Sequence, residues 1–306
     1  MNHWTIILNP AAGRGRGARE EKAIRSALPD AEILLTRKSG DAETLAFEAV
    51  QRGQHVAAAG GDGTLGEVLN GVMRAQTDTT IAILPVGTGN DFARTLGILD
   101  LGLALETLKS GEARRIDVGV ARSAQGERFW LNIAGAGFDA VVAHRINSGK
   151  FLRGTPAYIA AVLATLRTFR AARLELLCDD KTERFGALMC AVANAQSYGG
   201  GMRIAPDAKL DDGLFDVCTI ADASSLEFVR AFPSVFRGEH LSHPKVALRR
   251  AHTVKIASEP AWPVLLDGEL WGETPVEFNL RPQAVKFLFS TSADSTTMAK
   301  AMSPTA

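Results

Sequence analysis

Through its first hundred residues the chain alternates between two periods. Residues 4–8, 31–36, 55–59 and 81–84 are short, largely apolar runs, as in strands buried on both faces of a parallel sheet. Between them Ala42, Leu45, Ala46, Ala49 and Val50 recur at i, i+3, i+4, i+7 and i+8. Leu65, Val68, Leu69, Val72 and Met73 repeat that spacing, the stripe of a helix packed on one face. Strand–helix alternation at this interval predicts βαβ units and a doubly wound α/β sheet.

Beyond about residue 115 the pattern changes. Residues 128–134, 173–178, 185–193, 214–220, 246–257, 263–266, 275–280 and 284–289 read as strands. Only 155–173 and 224–236 read as helices there, so a largely antiparallel β domain is expected. The expected division is a nucleotide-binding α/β domain over residues 1–120, a substrate-binding β domain over 121–292 and a polar tail over 293–306.

Composition narrows the function. The 306 residues suit two domains, and 46% hydrophobic with 22% charged residues excludes a disordered chain. Lys+Arg and Asp+Glu are both 34, so non-specific nucleic-acid binding is not expected. Cys178, Cys190 and Cys218 are widely spaced in apolar runs, which argues for packed thiols rather than disulfides or zinc. No secretory leader is visible at Met1-Asn2-His3-Trp4, and the apolar stretch 158–166 is too short to span a bilayer. The expected location is cytoplasmic.

The chemistry lies in three loops that follow strands. They are Asn9-Pro10-Ala11-Ala12-Gly13-Arg14-Gly15-Arg16-Gly17, Gly60-Gly61-Asp62-Gly63-Thr64 and Pro85-Val86-Gly87-Thr88-Gly89-Asn90-Asp91-Phe92. Glycines let the backbone approach an anion, and a helix N-terminus favours negative charge. Three such loops at successive strand ends point to a nucleotide. The P-loop spacing and the Gly-x-Gly-x-x-Gly spacing are both absent. Asp62 and Asp91 would repel phosphate, so they suggest a divalent cation or a proton transfer; helix capping is the alternative role. His240-x-x-His243 lies in a Gly/Pro-flanked loop without further ligands and reads as non-metal.

These loops resemble the diacylglycerol kinase catalytic domain, and the likeness is nearest to the soluble bacterial lipid kinases. Asn9-Pro10-x-x-Gly13, Gly60-Gly61-Asp62-Gly63-Thr64 and Gly87-Thr88-Gly89-Asn90-Asp91-Phe92-Ala93 carry it first. Ile116-Asp117-Val118-Gly119, the 132–139 segment, Asp211-Asp212-Gly213 and Leu266-Asp267-Gly268-Glu269 continue it in family order. The resemblance implies an N-terminal α/β domain and a C-terminal β-sandwich, with the active site in the cleft between them. It implies ATP contacts at Asn9, Pro10, Ala11, Ala12, Gly13, Thr36, Gly61, Asp62, Gly63, Thr64, Leu65, Gly66, Glu67 and Thr88. It further implies Asp62 near the phosphates and Mg²⁺, Glu269 as proton acceptor and Asp267 beside it. A second, structural Mg²⁺ is implied at Asp212 with the carbonyls of Lys209 and Leu214, and Asp91 and Asp117 would extend a carboxylate–metal network. Gly66 departs from the family, which often has Asn there.

The implied activity is transfer of the ATP γ-phosphate to a lipid hydroxyl, with diacylglycerol first. Phosphatidylglycerol, a sphingoid base, ceramide, a polyprenol, an NAD-kinase-like small-molecule acceptor, or a non-catalytic nucleotide or lipid sensor are the alternatives. The lipid partner implies peripheral membrane contact, and a homodimer is left open. The helix 155–173, with Lys150, Phe151, Leu152 and Arg153 before it, could meet a membrane or cover the β domain, and the second reading is preferred. Phe228, Val229, Phe232, Val235 and Phe236 read as core.

Overall fold

The structure is a computed structural model and describes residues 3–148 and 155–291. Lys150, Phe151, Leu152, Arg153 and the expected tail lie outside the described residues. The first half runs β1 (Trp4–Leu8), α1 (Ala12–Ala27), β2 (Glu32–Leu35), α2 (Asp41–Gln51), β3 (His55–Gly60), α3 (Asp62–Ala75), β4 (Thr80–Pro85), α4 (Asp91–Thr95) and α5 (Leu101–Ser110). The strands are parallel, in the spatial order β2-β1-β3-β4. Ile6, Ile7, Leu8, Val56, Ala57, Ala58, Ala59 and Leu84 are all buried, as the apolar runs require of a covered sheet.

The second half runs β5 (Glu112–Ser123), β6 (Gly126–Trp130), β7 (Ile133–Gly137), α6 (Phe138–Ser148), α7 (Thr155–Thr168), β8 (Ala172–Cys178), β9 (Lys181–Ala193) and β10 (Phe215–Ala221). After α8 (Ser225–Ala231) come two 3-10 turns, Phe232–Arg237 and Glu239–Ser242. It closes with β11 (Val246–Ala251), β12 (Thr253–Glu259), β13 (Pro263–Leu266), β14 (Glu269–Glu273) and β15 (Val276–Phe289). The strands of this half pair antiparallel with one another and curl around Trp130, Phe215 and Phe278. Trp130 stacks on Phe215 at 5.4 Å and meets Phe278 edge-on at 6.0 Å. The expected α/β domain followed by a β-sandwich-like domain is the observed architecture.

Long-range contacts redraw several elements. The apolar run 128–134 is two strands, because the chain turns at Leu131 and Asn132 to meet Asp267. The run 246–257 also divides: Asp179 Oδ1 accepts the His252 and Thr253 amides, so β11 pairs with β10 and β12 with β8. Conversely, 275–280 and 284–289 are one strand with an irregularity between Arg281 and Val285. Its far end pairs parallel with β4 through Lys286 and Phe287. Phe287 and Phe289 thereby complete the core of the first domain. The glycine-rich loop 9–17 turns helical from Ala12, with Gly13, Arg14 and Gly15 left-handed (φ 57°, 59° and 82°) before the regular turns. Helices α5 and α6 and strands β5 and β14 are further elements that periodicity alone does not show.

Helix α7 forms but ends at Thr168, short of the expected residue 173, because Ala172 and Arg173 pair with β9 as the start of β8; Val162 and Leu166 are buried in the second domain's outer core. Of the stripe read as core, Phe228 and Val235 are buried, whereas Val229 and Phe236 are exposed. Among the described residues no helix is long and apolar enough to cross a membrane. All three cysteines are free thiols; Cys190 and Cys218 are buried and Cys178 half-buried.

Candidate active site

The carboxyl ends of β1 and β3 flank the point where the strand order reverses, where ligands bind in open α/β sheets. Asn9 fastens the first loop to the second. Its amide donates to the Ala59 carbonyl at 2.9 Å, its Nδ2 to Thr64 Oγ1 at 3.1 Å, and its Oδ1 accepts the Ala11 amide at 3.0 Å. Glycine is required where these loops touch. A Cβ on Gly13 would stand 2.3 Å from the Val86 carbonyl oxygen, and one on Gly87 2.4 Å from Gly61 Cα.

An open cleft of about 440 Å³ lies over these loops. Asn9, Pro10, Ala11, Thr36, Gly63, Thr64, Glu67 and Glu269 line it, all of them expected site residues. Arg37 and Lys38 line it as well, two cations that sequence reasoning missed although they directly follow Thr36. Several expected contacts lie elsewhere. Leu65 points into the core, Ala12 packs against that core, and Thr88 is exposed on the neighbouring loop. Around Gly66 a Cβ would meet nothing within 4 Å, so the departure from Asn leaves open space there.

The carboxylates divide between structure and chemistry. Glu67 reaches back to α2, accepting the Gly40 amide at 2.9 Å, the Ala42 amide at 3.1 Å and the Ser39 hydroxyl at 3.1 Å. Asp62 accepts the Asp91 and Phe92 amides, each at 3.1 Å, at the start of α4. Burial raises its carboxyl above the ordinary range, with the Asp91 charge adding to this. Asp91 accepts the Gly200 amide on both oxygens at 3.1 Å, which ties the first domain to the second. Each Asp62 oxygen takes one amide and keeps a lone pair for a cation.

Asp267 and Glu269 sit on a tight hairpin between β13 and β14, with Asp267 itself left-handed at φ 47°. The Asp267 carboxylate is engaged by three amides: Leu131 (2.7 Å), Asn132 (2.8 Å) and Ile133 (3.2 Å). Burial pushes its carboxyl up to about 7 against the pull of those amides. Glu269 is the more accessible member of the pair. Its side chain is 55% exposed, with Arg128 at 3.8 Å. Loss of surrounding water raises its carboxyl, and Arg128 opposes the rise. A Cβ on Gly63 would lie 2.5 Å from Glu269 Oε1, so the second domain's glutamate rests on the first turn of α3.

The second expected metal position looks different. The Asp212 carboxylate is paired with the Arg250 guanidinium, which also lies 3.8 Å from Asp216. Asp117 is fully buried and accepts the Gly213 and Gln283 amides, each at 2.7 Å. With Asp212 paired to an arginine and Asp117 holding one amide on each oxygen, these residues brace the 211–213 turn against β15. Among the described residues no three His, Cys, Asp or Glu side chains converge as a metal cage. His240 Nε2 donates to the Ile204 carbonyl (3.2 Å), and His243 Nδ1 accepts the Lys245 amide, so the histidine pair is structural.

Comparison with known proteins agrees with this geometry. Residues 3–121 match the diacylglycerol kinase catalytic domain, and 132–289 match the YegS C-terminal NAD kinase beta sandwich-like domain. The chain is 34% identical to a diacylglycerol kinase of Bacillus subtilis (strain 168), over 91% of this chain and 93% of that protein. It is 31% identical to a diacylglycerol kinase of Mycobacterium tuberculosis (strain ATCC 25618 / H37Rv), over 93% and 94%. The crystal structure of a candidate diacylglycerol kinase from Bacillus anthracis str. Sterne superposes with a TM-score of 0.77 at 25% identity, covering 96% of this chain and 99% of that one. Motif order, two-domain fold and full-length likeness together place this chain in the diacylglycerol kinase family.

Proposed function

We propose that the protein is an ATP- and Mg²⁺-dependent lipid kinase that transfers the γ-phosphate of ATP to a lipid hydroxyl, with diacylglycerol as acceptor and phosphatidic acid as product. The observation that carries this reading is Glu269, an unspent carboxylate from the β domain resting on the first turn of α3 at the nucleotide cleft. Phosphoryl transfer depends on positioning and charge neutralisation. Asn9, Thr64 and the α3 N-terminus would receive the phosphates, with Arg37 and Lys38 screening their charge. The lipid hydroxyl oxygen bonds to the γ-phosphorus, the bond from that phosphorus to the bridging oxygen breaks, and ADP departs. Glu269 takes the hydroxyl proton; its raised carboxyl is a better acceptor near neutral pH than an ordinary glutamate. Bound Mg²⁺ would neutralise phosphate charge beside Asp62. Asp267 acts as a positioning residue that holds the Glu269 hairpin, and Asp91 holds the domains in register.

The assignment of a lipid acceptor is supported by a partly open apolar pocket in the β domain, lined by Phe138, Met189, Ile204, Phe228, Phe232 and Val235. Labelled γ-phosphate from ATP, offered to a panel of lipids in mixed micelles with Mg²⁺, tests the assignment. Diacylglycerol is expected to be labelled, and Asp62→Ala is expected to lose the transfer. Labelling of phosphatidylglycerol, a sphingoid base, ceramide or a polyprenol instead would reassign the acceptor. ATP binding without any labelled lipid would refute lipid kinase activity.

A further inference from the structure

Beside Glu269 stands a cation that the mechanism above does not use. Arg128 lies on β6, and Asn70 of α3 fixes that strand against the first domain. Asn70 Nδ2 donates to the Phe129 carbonyl and its Oδ1 accepts the Phe129 amide, each at 3.0 Å and both buried. The same Nδ2 donates to the Gly66 carbonyl at 2.8 Å, which holds the carboxamide in place. Phe129 turns its ring into the first domain's core, with the Arg281 guanidinium 5.0 Å above it. Successive side chains of a strand point to opposite faces, so Arg128 points away from that core. There its guanidinium meets Glu269 Oε2 at 3.8 Å.

Two features separate Arg128 from an ordinary ion pair. The first is that its donors are uncommitted. A separation of 3.8 Å is too long for a hydrogen bond, and among the described residues the guanidinium makes none. The neighbouring Glu127 is already held by Arg122 at 2.7 Å and Arg281 at 3.5 Å. The second is that its charge opposes the task of Glu269. Loss of water raises the Glu269 carboxyl, Arg128 opposes the rise, and Glu67 on α3 adds to it. A proton acceptor is weakened by such a cation.

A transferring phosphoryl group is stabilised by it. In the transition state the negative charge spreads over three equatorial oxygens of the phosphoryl. The hydroxyl that gives its proton to Glu269 is bonding to that phosphorus at the same moment. A guanidinium 3.8 Å from Glu269 therefore reaches those oxygens by side-chain rotation, and its planar fork matches two of them. Arg37 and Lys38 bring cations to the cleft from the first domain, and Arg128 brings one from the β domain.

We propose that Arg128 is a further catalytic residue, whose guanidinium donates two N–H groups to nonbridging oxygens of the γ-phosphoryl as the acceptor hydroxyl attacks. It makes and breaks no covalent bond: the oxygen–phosphorus exchange and the proton transfer to Glu269 are those given above. The proposal rests on the phosphoryl-transfer reading and holds for whichever lipid hydroxyl accepts.

Arg128→Ala and Arg128→Lys are compared with wild type as full chains, with unchanged melting temperature showing that they are folded. Binding comes first. Arg128→Ala should bind a non-hydrolysable ATP analogue within about threefold of wild type, and should bind ADP with aluminium fluoride, a mimic of the transferring phosphoryl, about tenfold or more weakly. Turnover is then followed against pH. On the alkaline plateau, where Glu269 is ionised in both proteins, kcat of Arg128→Ala should fall at least about a hundredfold. Its acid limb should move to higher pH, because removing the cation lets the Glu269 carboxyl rise. Added guanidinium ion, below its unfolding concentration, should raise kcat of Arg128→Ala at least about tenfold and leave wild type unchanged. Arg128→Lys keeps the charge without the fork and should fall between the two. A plateau within about threefold of wild type, with only the acid limb moved, makes Arg128 a modifier of Glu269 and overturns the proposal. Equal affinity for the fluoride complex overturns it as well, and so does a loss that guanidinium does not restore. A wild type that labels no lipid refutes the kinase reading instead, and the fluoride-complex affinities then decide the role of Arg128 by themselves.

Discussion

Replacing Asp267 by asparagine separates a positioning role from proton transfer. The side chain is isosteric but has one acceptor oxygen instead of two. Oδ1 could keep the Asn132 and Ile133 amides at 2.8 and 3.2 Å. The new amide nitrogen would then face the Leu131 N–H, where Oδ2 now accepts at 2.7 Å. One donor is left unmet and two charge-assisted bonds become neutral, a loss of about 1–3 kcal/mol. The melting temperature should fall by roughly 2–8 °C. Because Glu269 stands two residues further along the same hairpin, kcat should fall while ATP affinity is retained. The assay is thermal and denaturant unfolding beside lipid phosphorylation with the same protein. The pH dependence gives a second reading. Burial raises Asp267 to about 7, so between the ordinary carboxylate range and pH 7 the folded chain holds a proton that the unfolded chain has released. Wild-type stability then falls as pH rises through that window, and the variant lacks this contribution, so the stability difference should narrow. Loss of activity with unchanged stability at every pH would refute the positioning role.

Three further substitutions test the rest of the site. Gly63→Ala places a Cβ 2.5 Å from Glu269 Oε1; helix propensity favours alanine by up to about 1 kcal/mol, so stability should hold or rise while kcat drops. Glu67→Ala removes the acceptor of two α2 amides and the Ser39 hydroxyl; unfolding should register a loss of about 1–2 kcal/mol, and kinetics should show a higher KM for ATP with kcat nearly unchanged, whereas a collapse of kcat would make Glu67 catalytic. Gly71→Ala sets a Cβ 2.2 Å from the Glu43 carbonyl oxygen where α2 and α3 touch; the denaturation midpoint should report about 1–3 kcal/mol of destabilisation, and a neutral result would mean that the helices part freely.

The sequence alone determined the kinds of element and the loops that carry the chemistry. Buried parallel strands must be apolar throughout, so β1, β3 and β4 announce themselves, and so do the stripes of α2 and α3. Glycines are written plainly where backbones meet, at Gly13, Gly61 and Gly87. Which carboxylate does what was decided only by tertiary structure. Asp62, Glu67, Asp91, Asp117, Asp212, Asp267 and Glu269 are alike as letters, and their roles depend on what faces them across the fold. Amides 135 and 136 residues away engage Asp267, an arginine on a neighbouring strand engages Asp212, and Glu269 faces Arg128 at 3.8 Å from the half-exposed end of its hairpin. The same holds for β15, whose last residues return to β4 across two hundred positions. It holds too for the stripe of segment 225–237, which divides between a cavity and the exterior. Local periodicity reports that a residue is apolar or charged; only the folded chain supplies the partner that gives the residue its role.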